Sequence, residues 1–382
     1  MRERTGRRAG RAWMALLACM LFGMWAWPAQ TAGAEAAGAP TPMPMPMPTL
    51  TLTLTLTTAA PKDGRVRPLV AIVADNAGTE TTDFVVPYSI LKASGAVDVV
   101  AVSTDAGAVE LMPALRMLAD ATFERFDAAT PAGADVVIVP ALHRADSPAV
   151  LAWLRKQAAG GATMVAICDG AEVLANAGLL RHRAATSHWY SRDGLRRRFA
   201  DTTWVDDRRY VMDGTVMTTS GVSASLPASL ALLSALAGPE AARETARRIG
   251  VQAWSDRHDG SRFALTARTV MSALANRVAF WRHETFDLPV ERGFDELPVA
   301  LTADAWARTW RGDVVVTADA HEVVSKHGLR LLTQPAGAGH APIVIPEGRR
   351  GDAVLPGVLA DIASRYGGAT SDWVALLLEY PR

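Results

Sequence analysis

The chain has 382 residues, with 39 basic and 39 acidic side chains and a formal net charge of zero. That balance excludes the basic footprint of a nucleic-acid-binding protein. A hydrophobic content of 49% is ample for packed cores, and the length allows roughly two domains.

Residues 1–34 read as an export signal. Arg2, Arg4, Arg7, Arg8 and Arg11 form a basic leader, an apolar run follows from Ala12 to Pro28, and Ala32-Gly33-Ala34 offers a small-x-small cleavage site. Cleavage gives a periplasmic or extracellular protein; retention anchors the chain in the inner membrane through residues 12–28. The run is short for a span of about 20 residues, which favours cleavage. Either way the N-terminus engages the export machinery or the membrane. Cys19 lies inside this segment, so after cleavage Cys168 is alone and no internal disulfide forms. Residues 35–66 are a low-complexity linker, TPMPMPMPTLTLTLTLTT at its centre. Its Pro-Met part predicts an extended, solvated tether. Its Thr-Leu alternation has strand periodicity and suits an edge strand.

From residue 67 the chain alternates strand and helix. LVAIVA is a buried strand, DFVVPYSILKAS a helix and VDVVAVST a strand. AVELMPALRMLAD reads as a hairpin, because Pro113 interrupts any helix. DVVIVP is a strand, and SPAVLAWLRKQAAGG is a helix ending at Gly160-Gly161. TMVAI then runs into Cys168-Asp169-Gly170, followed by the helix AEVLANAGLL. The pattern predicts an α/β fold with a doubly wound parallel sheet over residues 67–255. Cys168 then sits on a nucleophile elbow at the carboxyl end of its strand, where such sheets bind ligands. The helix N-terminus favours the thiolate, and Gly170 clears space for a close approach.

The last third echoes the first. VSTDAGAVELMPALRML (102–118) aligns without gaps to VTADAHEVVSKHGLRLL (316–332). VVIVP (136–140) then matches PIVIP (342–346), and SPAVLAWLRKQAAGGAT resembles DAVLPGVLADIASRYGGAT. Residues 294–382 are therefore expected to be a second, truncated copy of the fold that stops before an elbow and packs on the first. Residues 256–293 read as a helical connector.

Four segments carry a family resemblance: LVAIVADNAGTETTDFVVPYSIL (69–91), ADVVIVPAL (134–142), VAICDGAEVLANAGLLRHRAATSHW (165–189) and YVMDGTVMTTSGVSASLPASLALL (210–233). In this order they resemble the ThiJ/PfpI superfamily, the class I glutamine-amidotransferase-like proteins. The nearest branch is the one holding isonitrile hydratase and the sensor domains of AraC-type regulators. The resemblance implies a flavodoxin-like sheet, a Cys168 nucleophile, an Asp83 carboxylate facing the thiol, and His188 as a polarising group. It implies Asp169, Gly170 and Ala141 around a small-molecule substrate, no cofactor, no metal, and a homodimer.

Three departures stand out. Asp169 replaces the His of the peptidase-like branch, which argues against proteolysis and opposes thiolate formation. Ala141-Leu142 replaces a Gly-Gly pair that lets backbone N–H groups reach an oxyanion. No helix-turn-helix follows residue 255. His258, His283, His321, His327 and His340 lack metal-ligand spacing and read as surface or loop residues. Three readings follow: a hydratase or hydrolase of a small electrophile, a ligand- or redox-sensing domain, or a structural protein with an inert Cys168.

Overall fold

The computed structural model describes Leu56, Thr58 and residues 60–382. The basic leader, its apolar run and most of the linker lie outside the described residues. Among the described residues, no helix is long and apolar enough to cross a membrane. The described end of the Thr-Leu stretch contacts the fold. Leu56 bridges Gly214, and the Thr58 hydroxyl donates to Ala235 O at 3.3 Å. Arg65 pairs with Asp135 at 3.0 Å.

The first copy runs β1 (Leu69–Ala74), β2 (Thr79–Glu80), α1 (Thr81–Ser94), β3 (Asp98–Ser103) and the hairpin β4 (Ala108–Met112) and β5 (Leu115–Leu118). It continues with β6 (Ala121–Thr122), α2 (Phe123–Ala129), β7 (Val136–Val139), α3 (Pro148–Ala159), β8 (Thr163–Ala166) and α4 (Gly170–Asn176). Then come β9 (Ala184–Ala185), α5 (Arg192–Arg198), β10 (Thr203–Trp204), β11 (Tyr210–Asp213), β12 (Val216–Thr219), α6 (Ser225–Ala237) and α7 (Pro239–Ile249). The main sheet has the order β11-β12-β8-β7-β1-β3-β6, parallel throughout except for β11. Its side chains alternate between two cores. Ala71, Val73, Val137 and Val139 pack with α2, α3 and α4. Val70, Ile72, Val136 and Ile138 pack with α1, α6 and α7 on the opposite face. The expected doubly wound sheet is the observed one.

The second copy starts earlier than residue 294. After α8 (Ala267–Val278), β13 (Glu284–Pro289) opens it, followed by α9 (Glu296–Ala307) and β14 (Gly312–Thr317). The hairpin β15 (Glu322–Val324) and β16 (Arg330–Leu332), β17 (Ala341–Pro342), α10 (Val354–Tyr366) and α11 (Gly368–Leu377) complete it. β13 lies between β14 and β17, both parallel to it, as β1 lies between β3 and β7.

The helical end of this copy corresponds to α6 and α7, not to α3 as the sequence match suggested. α6 and α10 each have 13 residues, and each follows a 3₁₀ turn. α6 ends at Gly238 (φ 88, ψ 159) and α10 at Gly367 (φ 87, ψ 160), and a second helix starts at once from each. The sequence match failed because α3 and α10 share only amphipathic spacing and a Gly-Gly-Ala-Thr end.

The two copies are joined in two places. β16 pairs antiparallel with β5, setting Leu331 opposite Met117 in the sheet β15-β16-β5-β4-β2. α9 packs on α1. α1 is apolar almost all round because it is enclosed by its own sheet, by α6 and α7, and by α9. Leu331 and Met117 are fully buried. Leu331→Ala should therefore lower stability by about 2–5 kcal/mol, with one cooperative transition in urea. Two separate transitions would show that the copies fold independently.

Candidate functional site

Cys168 closes β8 and precedes α4 in a left-handed backbone conformation, φ 55. A non-glycine residue held there is strained, as expected of an elbow. Its N–H donates to the Thr219 hydroxyl at 3.0 Å, and its carbonyl accepts from the Ser187 hydroxyl at 3.2 Å. Gly170 is dictated by packing: a Cβ there would lie 2.0 Å from Val139 O. The close approach is therefore the neighbouring strand rather than a substrate.

The thiol is 7% exposed. Burial pushes its pKa well up, and the negative charges of Asp83, Asp169, Glu80 and Glu379 push it further. Asp83, in the first turn of α1, is fully buried. It does not hydrogen-bond to the sulfur. Its Oδ2 accepts from Ala141 N–H at 3.1 Å, while Oδ1 has no partner among the described residues. Burial and the adjacent Glu80 raise its pKa well above the usual carboxylate range. The shift favours the neutral acid, the form in which Asp83 no longer opposes the thiolate.

The other sequence candidates fall into place around this pair. Ala141 is lost as an oxyanion donor, since its N–H is committed to Asp83. Asp169 is fixed rather than free to turn outward: its oxygens accept from the Ser187 and Ser191 hydroxyls at 2.9 and 2.7 Å. His188 is adjacent but occupied. Its Nδ1 accepts from Tyr190 N–H at 3.4 Å, so Nε2 donates to Leu377 O at 3.1 Å. Neither nitrogen is left for the thiol.

Three further residues were not singled out from sequence. Glu80 caps α1, accepting from Asp83 N–H at 2.5 Å. Arg308, at the end of α9, donates to Glu80 Oε1 at 2.6 Å and to Asp304 Oδ1 at 2.8 Å. It lies close enough to Cys168 for their charges to attract. Glu379, fully buried, accepts from Gly221 N–H at 2.6 Å, and its Oε1 lies 2.7 Å from His258 Nε2. Burial pushes the Glu379 carboxyl up, but the His258 hydrogen bond and nearby positive groups outweigh it and leave the pKa lowered. Glu80 had a signal, a carboxylate three residues before Asp83. Arg308 and Glu379 had none, because only folding brings the second copy here.

Several histidines read as surface residues are structural. His258, His327 and His340 pair with Glu379, Glu296 and Asp287 at 2.7, 3.0 and 2.7 Å. No group of three or more His, Cys, Asp or Glu suited to a metal occurs among the described residues.

Two measurements test this electrostatic arrangement. One guanidinium, Arg308, bonds two carboxylates and lies within electrostatic reach of Asp83. Burial raises the Asp304 pKa to about 7, against Arg308, which lowers it. The folded state then holds protons that the unfolded chain releases near pH 4, so stability should fall as pH rises from about 4 to 7. Asp304→Asn should flatten that slope in pH-dependent urea melts. Arg308→Met should move the midpoint of Cys168 alkylation to higher pH, since a cation within electrostatic reach of the thiol is gone. An unchanged midpoint would place Arg308 outside the site.

Comparison with known proteins agrees with this geometry. The DJ-1/PfpI family profile matches residues 69–235. Isonitrile hydratase of Pseudomonas putida is 32% identical over 165 residues, 42% of this chain and 69% of that protein. The HTH-type transcriptional regulator CdhR of Pseudomonas aeruginosa is 33% identical over 125 residues, 33% of this chain; the chain spans only 37% of the regulator. Among solved structures, Drosophila melanogaster DJ-1beta aligns over 49% of this chain and 100% of its own, with 24% identity and a TM-score of 0.44. A ThiJ/PfpI protein of Pseudomonas syringae aligns over 63% of this chain and 94% of its own, with 23% identity and a TM-score of 0.47. With the elbow cysteine, the parallel sheet and a 32% identical relative covered over 69% of its length, the chain belongs to the DJ-1/PfpI family.

Proposed function

We propose that this chain is an exported, cofactor-free hydratase that adds water to a small apolar electrophile, with isonitriles as the substrate class. The observation that supports this most is Asp83: a buried acid whose pKa burial and Glu80 raise, with one oxygen unpartnered, near a buried thiol whose pKa is raised as well. An isonitrile is neutral and needs a proton on its terminal carbon before a nucleophile adds. It needs no oxyanion donors, so the commitment of Ala141 N–H to Asp83 is no obstacle. The relative named isonitrile hydratase supports the same reading.

In the proposed reaction Asp83 protonates the terminal carbon and the Cys168 sulfur bonds to it, its own proton passing to Asp83. The product is a thioimidate. Water adds to that carbon and the C–S bond breaks. One water proton ends on nitrogen and the other on sulfur, giving an N-substituted formamide and the free thiol. Nothing is oxidised or reduced. Arg308 steadies the transient thiolate, and Glu80 keeps Asp83 protonated.

The second reading is a ligand- or redox-sensing domain. Asp169, clamped by two serines next to the thiol, favours it, because a fixed negative charge there opposes turnover by a thiolate. The test is cyclohexyl isocyanide, with the formamide product read by mass spectrometry. Cys168→Ser and Asp83→Asn should each lower the rate by about 10²–10⁴-fold. A folded wild-type protein that makes no formamide would leave the sensing reading.

Export follows from the basic leader and apolar run of residues 1–34. A reporter joined after residue 66 should be active outside the cytoplasm; activity confined to the cytoplasm would contradict export.

A further inference from the structure

A cavity of about 320 Å³ lies between the two copies, and Cys168 is not among the residues that line it. Its walls come in equivalent pairs from the two halves. Val86 on α1 faces the same space as Leu301 on α9, and Leu226 on α6 as Leu355 on α10. Val251, just after α7, is matched by Tyr380, just after α11. The cavity therefore sits on the pseudo-two-fold axis. Its volume is in the range of small-molecule sites.

One residue breaks the symmetry. Arg209, just before β11, lines the cavity and has no counterpart across the axis. It is half-buried, and its bonds go only to neutral atoms: Arg257 O at 3.0 Å, and Ser223 O and Oγ at 3.4 Å. It forms no ion pair among the described residues. The Glu379 carboxylate acts on it only as a charged neighbour without bonding to it, and a guanidinium drawn out of water with no carboxylate bonded to it is costly, so such a group marks where an anion belongs. Asp352 is the only acid in the lining, and it is exposed. Its charge disfavours a dianion and limits the ligand to one negative charge.

From these residues we propose that the cavity is a second binding site, for a small monocarboxylate with an apolar or aromatic body. The carboxylate pairs with Arg209. The body lies among the paired leucines and valines and against Trp254. The site requires both copies, which gives the C-terminal copy a role beyond cover for α1. It is independent of the chemistry at Cys168.

The test uses the full chain and 3-phenylpropionate, followed by titration calorimetry and tryptophan fluorescence, with 3-phenylpropanamide as the uncharged control. Wild type should bind the carboxylate at least tenfold more tightly than the amide. Arg209→Met should erase that preference. Leu355→Trp or Leu226→Trp, either of which fills the cavity, should abolish binding of both. Cys168→Ala should bind as wild type does, which separates this site from the elbow. Lack of saturation by wild type at about 10 mM, an affinity of only a few kcal/mol, would overturn the proposal. So would equal affinity for the amide, or binding that survives both tryptophan substitutions.

Discussion

Helix α1 has no polar face, and the rest of the architecture answers that fact. Twelve of its residues are buried, from Thr81 to Ala93. Its own sheet covers one side and α6 and α7 another, yet an apolar stripe is left. In this chain α9 covers it, and β16 pairs with the edge strand β5 next to it. Both devices remove surfaces that otherwise drive association, an apolar patch and an open sheet edge. The truncated copy thus does within one chain what a second subunit does in a symmetric dimer. Its principal contacts with the first copy are made by α9 and β16.

The same contact determines the electrostatics of the thiol. Arg308 and Glu379 both come from the second copy and sit on either side of the elbow neighbourhood. One guanidinium among Glu80, Asp83 and Asp304 cannot balance three ionised acids in a dry interior. Burial and mutual repulsion push the pKa values of Asp83 and Asp304 up, toward the neutral form. A buried thiol near a buried carboxyl whose pKa is raised is a different reagent from a thiolate beside an imidazole. It suits proton donation coupled to addition at a neutral carbon, and it suits acyl transfer poorly.

Pseudo-symmetry also shows where function was built. Gly250 and Glu379 hold equivalent positions after α7 and α11, both left-handed, φ 84 and φ 53. Glycine adopts that conformation freely; glutamate does not. Across the axis, Gly221 faces Glu379 and Gly250 faces Arg350: a Cβ on Gly221 would lie 2.7 Å from Glu379 Cβ, and one on Gly250 3.3 Å from Arg350 Cβ. Bulk has been exchanged between the two sides. On the elbow side the result is a strained carboxylate that bonds Gly221 N–H and meets His258, and strain of this kind persists where the surrounding contacts determine it.

Much of this was legible in the residues themselves. Continuous apolar strands such as LVAIVA, the hairpin around Pro113 and the strand–CDG–helix step dictate a doubly wound sheet and an elbow, because local periodicity and turn chemistry act over a few residues. The existence of a second copy was also visible, from the ungapped match of 102–118 to 316–332. Its limits were not. β13 at Glu284–Pro289 has the strand periodicity of many segments, and only pairing to β14 and β17 assigns it. At the site, Cys168 and Asp83 were legible because they lie on one short motif each. The sequence did not reveal that Ala141 spends its N–H on Asp83, that His188 is fully engaged, or that Arg308 and Glu379 reach the elbow. Those are contacts across up to 228 residues, determined by how two sheets and α1 pack. Protonation at such a site depends on burial and on neighbours brought together in space, so only the tertiary structure decided it.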